Sequence, residues 1–217
     1  MRDLAEGKDI QHVNDIDLAF GCTATEIAAI FQAKNITTNV RLNTGLFNIA
    51  KPPNCVEFEG KGMTNTAVCN AQRMIMSCDI AQDALSKDLS INALYYDILN
   101  DTIVDPSGYG LQDIRNKVLR PPCDQGDWPT WMGDHPSKIG RVVDFTVRRT
   151  DHRVVDGLID ACRTFLQDQT NYVKCHNTIP GWFANQIAAK KDQSHVAKFV
   201  QIARATYKYD FATAQVL

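Results

Sequence analysis

The chain has 217 residues, of which 44% are hydrophobic and 22% are charged, a composition typical of globular domains and not of disordered chains. Its formal net charge of −2 is not that of a strongly basic nucleic-acid-binding protein. No apolar run approaches the roughly 18 residues that a membrane helix needs. The N-terminus is charged from Arg2 onward, and we therefore expect neither secretion nor a membrane partner.

The cysteines bear on the cellular compartment. There are seven of them, an odd number without a C-x-x-C pair, so neither a disulfide framework nor a zinc knuckle is indicated. Free thiols persist in reducing compartments. The sequence therefore favours the cytosol or an organelle matrix, such as that of mitochondria.

The first part of the chain combines strand and helix patterns. Short runs of alternating apolar and polar residues predict strands at 15–20, 45–49, 55–59 and 102–105. A capping box from Thr23 to Glu26 predicts that a helix follows the first strand. The apolar spacing around Ile91 predicts another helix within 84–99. This alternation of strands and helices favours an α/β or α+β fold.

The hydrophobic period changes near residue 122. Prolines and glycines recur through 120–136, which predicts a loop or linker there. Beyond it, apolar residues recur at helical spacing over 154–166 and 196–203, and Pro180-Gly181 is predicted to separate the two helices. We therefore expect one domain over 1–122 and a helical domain over 123–217.

The first predicted strand carries two acids separated by one residue, Asp15 and Asp17. Residues two apart share a face of a strand, so both acids lie opposite the apolar residues that alternate with them. Two such carboxylates repel each other unless a cation lies between them, and oxygen ligands of this kind suit Mg²⁺. An exposed strand edge with two solvated acids is the alternative interpretation of the same pattern.

Three later segments resemble those of a known family. They read DALSKDLSINAL at 83–94, IVDP at 103–106 and GLQDIRNKVLR at 110–120. Their sequence and order are similar to the head domain of CCA-adding tRNA nucleotidyltransferases and bacterial-type poly(A) polymerases, over about residues 2–145. The resemblance implies an α+β protein, in which a nucleotidyltransferase-fold head of mixed sheet and helices precedes an all-α neck.

The resemblance also implies a metal site on the predicted strands. Asp15 and Asp17 match the family's paired acids, which implies that they are catalytic and bind Mg²⁺. Glu57 matches a third acid on the strand predicted at 55–59. For Glu57, an exposed strand edge remains the alternative.

Other positions match residues that bind the incoming nucleotide in the family. Arg2 matches an arginine that contacts phosphates, whereas the family's paired glycines would fall ahead of Met1. We therefore expect either that the chain is a fragment or that another segment, such as a partner chain, completes the sheet. Lys87 and Asp88 match the second and third residues of the family's Arg-Arg-Asp motif. Lys87 keeps the positive charge of the arginine but lacks its bidentate fork. Asn92 belongs to the same motif. Helix capping and scaffolding are the alternative roles of Asp88 and Asn92.

A further motif departs from the family pattern. Family members use an Asp and an Arg to read the bases of ATP and CTP, and the matching positions here are His135 and Lys138. Arg141 retains the next arginine, whereas Asp144 reverses the charge of the last. A histidine cannot copy an acceptor-only carboxylate, nor a lysine the planar fork of arginine. We therefore expect these positions to bind nucleotide with weak discrimination between ATP and CTP.

Two functions of different classes follow from these features. The first is template-independent nucleotidyl transfer from ATP or CTP to an RNA 3′ end, by tRNA CCA addition or polyadenylation, with Mg²⁺ on the paired acids. The second is a catalytically degenerate relative that acts as a structural or RNA-binding subunit of a larger ribonucleoprotein assembly. The altered motifs favour the second function, whereas the retained Asp15 and Asp17 favour the enzyme.

Overall fold

The computed structural model describes residues 5–7, 15–20, 24–35, 38–41, 46–49, 57–62, 64–69, 72–77, 79–190 and 193–210. The chain forms two compact units, Asp3–Ser86 and a second unit that begins at Lys87. Within the described residues, no helix combines the length and apolarity needed to cross a membrane. The predicted α+β class is confirmed, whereas the predicted division between a head and a neck at residue 122 stays a prediction.

The first unit contains a four-stranded sheet, a hairpin and two helices among its described residues. In chain order they are β1 (Asp15–Phe20), α1 (Ala24–Ala33), β2 (Thr38–Arg41), β3 (Leu46–Ile49), β4 (Glu57–Gly62), β5 (Thr64–Cys69), β6 (Gln72–Ser77) and α2 (Ile80–Leu85). The sheet has the order β1-β4-β3-β2. Strand β1 runs parallel to β4, and β3 is antiparallel to both of its neighbours. Strands β5 and β6 form the antiparallel hairpin.

Three of the predictions for this unit are confirmed within a residue. The strands predicted at 15–20 and 45–49 correspond to β1 and β3, and the capping box is followed by α1, which packs against β2, β3 and β4. The strand predicted at 55–59 is instead observed at Glu57–Gly62. All six residues of β4 pair with β1, so the partner strand sets its bounds more than the local alternation does.

The second unit is mainly helical. Its strands are β7 (Tyr95–Asp97), β8 (Thr102–Val104), β9 (Val118–Leu119) and β10 (Arg153–Val154). Its helices are α3 (Gly110–Asn116), α4 (Trp128–Asp134), α5 (Ser137–Arg148), α6 (Leu158–Gln167), α7 (Gln169–Lys190) and α8 (Gln193–Tyr207). Strands β7 and β8 form an antiparallel hairpin, and β9 pairs with β10 in parallel. The strand predicted at 102–105 is confirmed by β8.

The helix predicted around Ile91 is wrong. The chain forms a short 3₁₀ turn at Ser90–Asn92 and then enters β7. The carboxylate of Asp88 accepts hydrogen bonds from the backbone N–H of Leu89 and the side chain of Asn92, which closes a turn in place of a longer helix. The apolar spacing that suggested a helix reflects burial of this turn in the core, where Ile91 is fully buried.

The linker predicted at 120–136 is wrong in its second half, where α4 forms. Pro129 lies in the first turn of α4, where a missing backbone N–H costs no helical hydrogen bond. Trp128, Trp131 and Met132 are buried along one side of this helix, at the spacing of a helical face. Burial of two indole rings therefore outweighs the turn-forming composition.

Pro180 does not separate two helices but lies inside α7. A proline in a helix interior removes a hydrogen bond and clashes with the preceding turn, at a cost of about 3 kcal/mol. On the same helix, Cys175, Ile179 and Phe183 are buried at intervals of four residues. The ring of Phe183 stacks on that of Phe199 in α8, with centroids 3.8 Å apart. Packing on both sides of the proline therefore maintains the helix through it.

The core of the second unit lies between α5 and α8, with α6 and α7 packed against them. Its largest side chains with almost no exposed surface include Leu119, Met132, Ile139, Leu158, Ile179, Phe199, Tyr207 and Tyr209. Helix α5 has a strongly amphipathic sequence, and its buried side carries both apolar residues and the charged Lys138 and Asp144. These two buried charges require partners, and those partners belong to the candidate site.

Candidate active site

The predicted metal-binding acids lie on two adjacent parallel strands. The register pairs Asp15 with Glu57 and Asp17 with Glu59. Paired residues of neighbouring strands, and residues two apart along one strand, lie on the same face of a sheet. The backbone therefore assigns all four acids to one face, at adjacent positions of β1 and β4. Glu59 lies two residues after the predicted Glu57, and the register pairs each of these two glutamates with one of the aspartates.

The donor set at these four positions fits Mg²⁺. Carboxylate oxygens are hard ligands, which Mg²⁺ prefers, and adjacent acids without a cation repel each other. Among the side chains that the structure describes, no three His, Cys, Asp or Glu residues form a group that could hold a metal ion. The side chains of β1 and β4 lie outside that set, and Arg2 lies outside the described residues.

In the second unit, Asp88 joins two other predicted nucleotide-binding residues. Its Oδ1 accepts hydrogen bonds from the Leu89 backbone N–H and from Asn92 Nδ2, both at 2.9 Å. Its Oδ2 accepts a hydrogen bond from Arg141 Nε at 2.6 Å. The pair is partly shielded from solvent, since the side chain of Asp88 is 17% exposed and that of Arg141 is 26% exposed. Asp88 therefore connects the turn at Ser90–Asn92 to helix α5.

Arg141 has two further neighbours on its own helix. Its guanidinium carbon lies 5.0 Å from the centre of the Phe145 ring, within the range of a cation–π contact. Its Nη1 lies 3.6 Å from Asp144 Oδ2, which is beyond ordinary hydrogen-bond distance. The Arg141 side chain is thus oriented by a ring and two carboxylates, and Asp88 is the nearer of the two.

Asp144 stands where the family motif has its last arginine. In the structure, cationic and donor groups surround its carboxylate. Its side chain is 1% exposed, and its Oδ1 accepts hydrogen bonds from Arg148 Nε at 2.9 Å and His195 Nε2 at 2.7 Å. Sequence reasoning missed this cluster. The i,i+3 and i,i+4 spacings to Arg141 and Arg148 were an available signal, whereas His195 is 51 residues away and gives none.

Trp131 connects the two predicted lysines and was also missed. Its indole N–H donates a hydrogen bond to the backbone carbonyl of Lys87 at 3.0 Å. The Nζ of Lys138 lies 5.6 Å from the centre of the same indole and 2.8 Å from Asp134 Oδ2. The Nζ of Lys87 lies 5.7 Å from the centre of the Tyr95 ring. The lysine charges are therefore held against aromatic rings, and that of Lys138 is also paired with an acid.

Lys138 and His135 differ in their exposure to solvent. Lys138 is 5% exposed, whereas its partner Asp134 has a side chain that is 59% exposed. His135 follows α4, and its Nδ1 lies 2.7 Å from Ser137 Oγ at the start of α5. Of the predicted base-reading positions, the structure thus buries Lys138 beside Trp131 and leaves His135 in the exposed connection between two helices.

A buried acid supports the turn that carries Asn92. The Ser90 hydroxyl donates a hydrogen bond to Asp113 Oδ2 at 2.7 Å, and Arg120 Nε lies 3.2 Å from the same oxygen. Burial raises the pKa of Asp113, while the hydrogen bond from Ser90 and the charge of Arg120 act in the opposite direction. Gly110 lies so close that a Cβ there would be 2.6 Å from the Ser90 carbonyl oxygen. Helix α3 therefore fixes the turn by contact as well as by charge.

A family profile described as the poly(A) polymerase head domain matches residues 1–120. Two curated relatives match a shorter stretch of the chain. The tRNA nucleotidyltransferase cca1 of Schizosaccharomyces pombe is 36% identical over 67 residues, or 31% of this chain and 13% of the relative. The mitochondrial CCA tRNA nucleotidyltransferase of Candida glabrata is also 36% identical over 67 residues, or 31% of this chain and 12% of the relative.

The fold itself has counterparts among solved structures. A tRNA nucleotidyltransferase in complex with a primer tRNA and an incoming ATP analog has a TM-score of 0.63 and 19% identity, over 96% of this chain and 54% of that one. A CCA-adding enzyme from Bacillus stearothermophilus in complex with CTP has a TM-score of 0.63 and 18% identity, over 99% of this chain and 48% of that one. The chain therefore spans about half the length of these structures, and the likeness extends over nearly all of its fold.

Proposed function

The chain belongs to the poly(A) polymerase head domain family, and we propose that it transfers nucleotides from ATP or CTP to the 3′ end of an RNA without a template. The observation that carries the proposal is the parallel pairing of β1 with β4, which aligns Asp15 with Glu57 and Asp17 with Glu59. A set of acids on one face of a sheet is costly without a cation, and the same set suits the metal that phosphoryl transfer requires.

In this proposal the acids of the first unit hold the metal. Asp15 and Asp17 would be its ligands, with Glu57 as a third acid. When bound, Mg²⁺ supplies charge neutralisation and a template for the phosphates of the nucleotide. Little covalent work is left to the protein in such a reaction, so the remaining residues act by positioning and by charge.

The nucleotide-binding role falls to residues of the second unit and to Arg2. Arg141 offers a guanidinium that Asp88 orients, and Asn92 fixes Asp88 in turn. Lys87 supplies a second positive charge in the same motif. His135 and Lys138 stand at the base-reading positions. The substrate class proposed from the relatives is tRNA, and the proposed compartment is the cytosol or an organelle matrix.

One assay tests the activity. Purified protein is incubated with Mg²⁺, labelled ATP or CTP, and either tRNA or oligo(A), and extension is followed on a gel. We expect extension that disappears on removal of Mg²⁺ and in Asp15→Ala. Asp156→Asn is the matched control, because the side chain of Asp156 is 99% exposed and its loss leaves the proposed site intact.

Metal binding is tested separately from turnover. Calorimetry with Mn²⁺ should give a measurable affinity for the wild type and a strongly reduced one for Asp17→Asn, while Asp156→Asn retains the affinity of the wild type. Equal Mn²⁺ affinity in the wild type and Asp17→Asn would contradict the assignment of the metal to β1, whatever the outcome of the extension assay.

A second candidate function is a non-catalytic RNA-binding or structural subunit. The observation that favours it is the internal pairing of the cations at the nucleotide-binding positions: Lys138 lies 2.8 Å from Asp134, and Arg141 lies 2.6 Å from Asp88. Charges neutralised in this way are less available to phosphate. Binding of tRNA without ATP binding or extension would favour this candidate, whereas Mg²⁺-dependent extension would exclude it.

A further inference from the structure

Asp144 is a buried acid that links helices α5 and α8. Its two arginine neighbours, Arg141 and Arg148, come from α5, whereas His195 comes from the first turn of α8. The Asp144 side chain is 1% exposed and that of His195 is 16% exposed. A buried carboxylate is stable only where donors replace the water it has lost.

The two oxygens of Asp144 are used unequally. Oδ1 accepts two hydrogen bonds, from Arg148 Nε at 2.9 Å and from His195 Nε2 at 2.7 Å. Because a carboxylate only accepts, Nε2 of His195 carries the proton of this bond. Oδ2 is buried and has no hydrogen-bond partner among the residues that the structure describes. Arg141 Nη1 lies 3.6 Å from this oxygen.

Two acids, Asp88 and Asp144, face different nitrogens of the Arg141 guanidinium. Its Nε donates to Asp88 Oδ2 at 2.6 Å, whereas its Nη1 lies 3.6 Å from Asp144 Oδ2. If His195 no longer donates to Oδ1, the buried carboxylate keeps only the hydrogen bond from Arg148. A shift of the Arg141 guanidinium toward Oδ2 would supply another donor, at the expense of its bond to Asp88.

We propose that His195 is a positioning residue for the nucleotide site: by occupying Asp144 Oδ1, it keeps the Arg141 guanidinium on Asp88. The part of this proposal that concerns nucleotide rests on the proposed function, since it takes Arg141 as a nucleotide-binding group. The orientation of Arg141 itself does not depend on that function. It can therefore be tested in the protein without nucleotide.

The variants separate donation from packing. His195→Gln retains an N–H donor near the position of Nε2, whereas His195→Leu fills similar space without a donor. Lys198→Leu is the control on the same helix, because Lys198 is exposed. This substitution adds the same apolar side chain at a position that does not bond to Asp144. Urea unfolding shows whether each variant folds. If His195→Leu does not fold, His195→Gln still tests the proposal.

The first readout is the Nε–H resonance of Arg141 in the ¹H–¹⁵N spectrum of the arginine side chains, assigned by its loss in Arg141→Lys. A short bond to a carboxylate slows hydrogen exchange at Nε. We expect His195→Leu to shift this resonance and to accelerate its exchange at least about tenfold, the change that corresponds to loss of one charge-assisted hydrogen bond. His195→Gln and Lys198→Leu should retain the position and exchange rate of the wild type.

The second readout is the dissociation constant of ATP, measured by calorimetry on the same proteins. We expect about a tenfold increase in Kd in His195→Leu and rescue in His195→Gln. An Arg141 resonance that is unchanged in folded His195→Leu, or changed equally in His195→Gln, overturns the proposal. Absence of ATP binding by the wild type overturns the proposed function instead, and the Arg141 resonance then decides the positioning role alone.

Discussion

Asp88 and Arg141 are 53 residues apart in the chain, and they form an ion pair in which Arg141 Nε donates to Asp88 Oδ2 at 2.6 Å. Both belong to motifs that the resemblance to the family predicts to bind nucleotide, and the structure joins them directly. The pair also connects the turn at Ser90–Asn92 with helix α5. Its loss should therefore affect the stability of the second unit as well as any nucleotide it binds.

Asp88→Asn should lower the free energy of unfolding by about 1–3 kcal/mol, the range of a partly buried hydrogen bond to a charged group. The amide keeps an acceptor for Asn92 but loses the charge that faces Arg141. Urea unfolding measures the change, with Asp156→Asn as the control. That exposed substitution should stay within about 0.5 kcal/mol of the wild type. Equal stability of Asp88→Asn and the wild type would mean that the ion pair contributes nothing net.

Gly110→Ala should be destabilising by about 1–3 kcal/mol, the usual cost of overpacking. A Cβ at Gly110 would lie 2.6 Å from the Ser90 carbonyl oxygen and 2.8 Å from a methyl carbon of Leu94. Gly126→Ala is the matched control, because a Cβ there would have no atom within 4 Å. Thermal unfolding of the two variants should differ clearly, and equal melting temperatures would show that α3 can shift away from the turn.

The sequence predicted the family, the α+β class and the first strand with its acids, because these features are encoded locally. The alternation of β1 and the capping box before α1 need no information from distant residues. The register between Asp15 and Glu57 could not be read in the same way, since it depends on which strand pairs with β1. Only the resemblance to a family suggested that Glu57 belonged with the aspartates.

The second unit was harder to predict because tertiary packing overrides local signals there. Pro180 is a strong helix breaker, yet burial of Ile179 and Phe183 on either side maintains the helix. At Asp144 the sequence indicates only a reversal of charge, because the hydrogen bond that Asp144 accepts from His195 comes from another helix. Long-range pairs of this kind leave no periodic trace in a single sequence.

Phe183→Ala should lower the free energy of unfolding by about 3–5 kcal/mol, as expected for a large buried aromatic side chain. Phe183 is 2% exposed, and its ring stacks on that of Phe199, which is fully buried. Val173→Ala on the same helix is the control, because Val173 is 45% exposed. Chemical denaturation should place the control close to the wild type. A small effect of Phe183→Ala would mean that α7 and α8 can close the cavity.

Cys162 and Cys175 should be inert to alkylation in the folded protein. Burial raises the pKa of Cys162 to about 12 and that of Cys175 to about 11. The raised values keep both groups as neutral thiols at pH 8, where only about one in a thousand or fewer is the reactive thiolate. Iodoacetamide labelling at pH 8, followed by site-resolved mass spectrometry, should modify these two residues only after denaturation. Fast labelling of native Cys162 would contradict its burial.

The surroundings of Lys138 bear on the choice between ATP and CTP. This residue is 5% exposed, with its Nζ between Asp134 and the Trp131 ring. A lysine held in this way offers a point charge and no planar fork. His135 is engaged with Ser137 and cannot act as an acceptor-only carboxylate. We therefore expect the Kd values for ATP and CTP to differ by less than about tenfold, since a matched bidentate pair is worth about 1–3 kcal/mol.

Restoring the family's residues tests this explanation. His135→Asp combined with Lys138→Arg should increase the ratio of the two Kd values, because a carboxylate and a guanidinium together distinguish the edges of the two bases. Lys174→Arg is the control, since Lys174 is exposed on α7 and the substitution only adds a guanidinium. Calorimetry with each nucleotide gives the ratio directly. If the wild type already discriminates by a hundredfold, residues other than His135 and Lys138 select the base, and their assignment as base-reading positions is wrong.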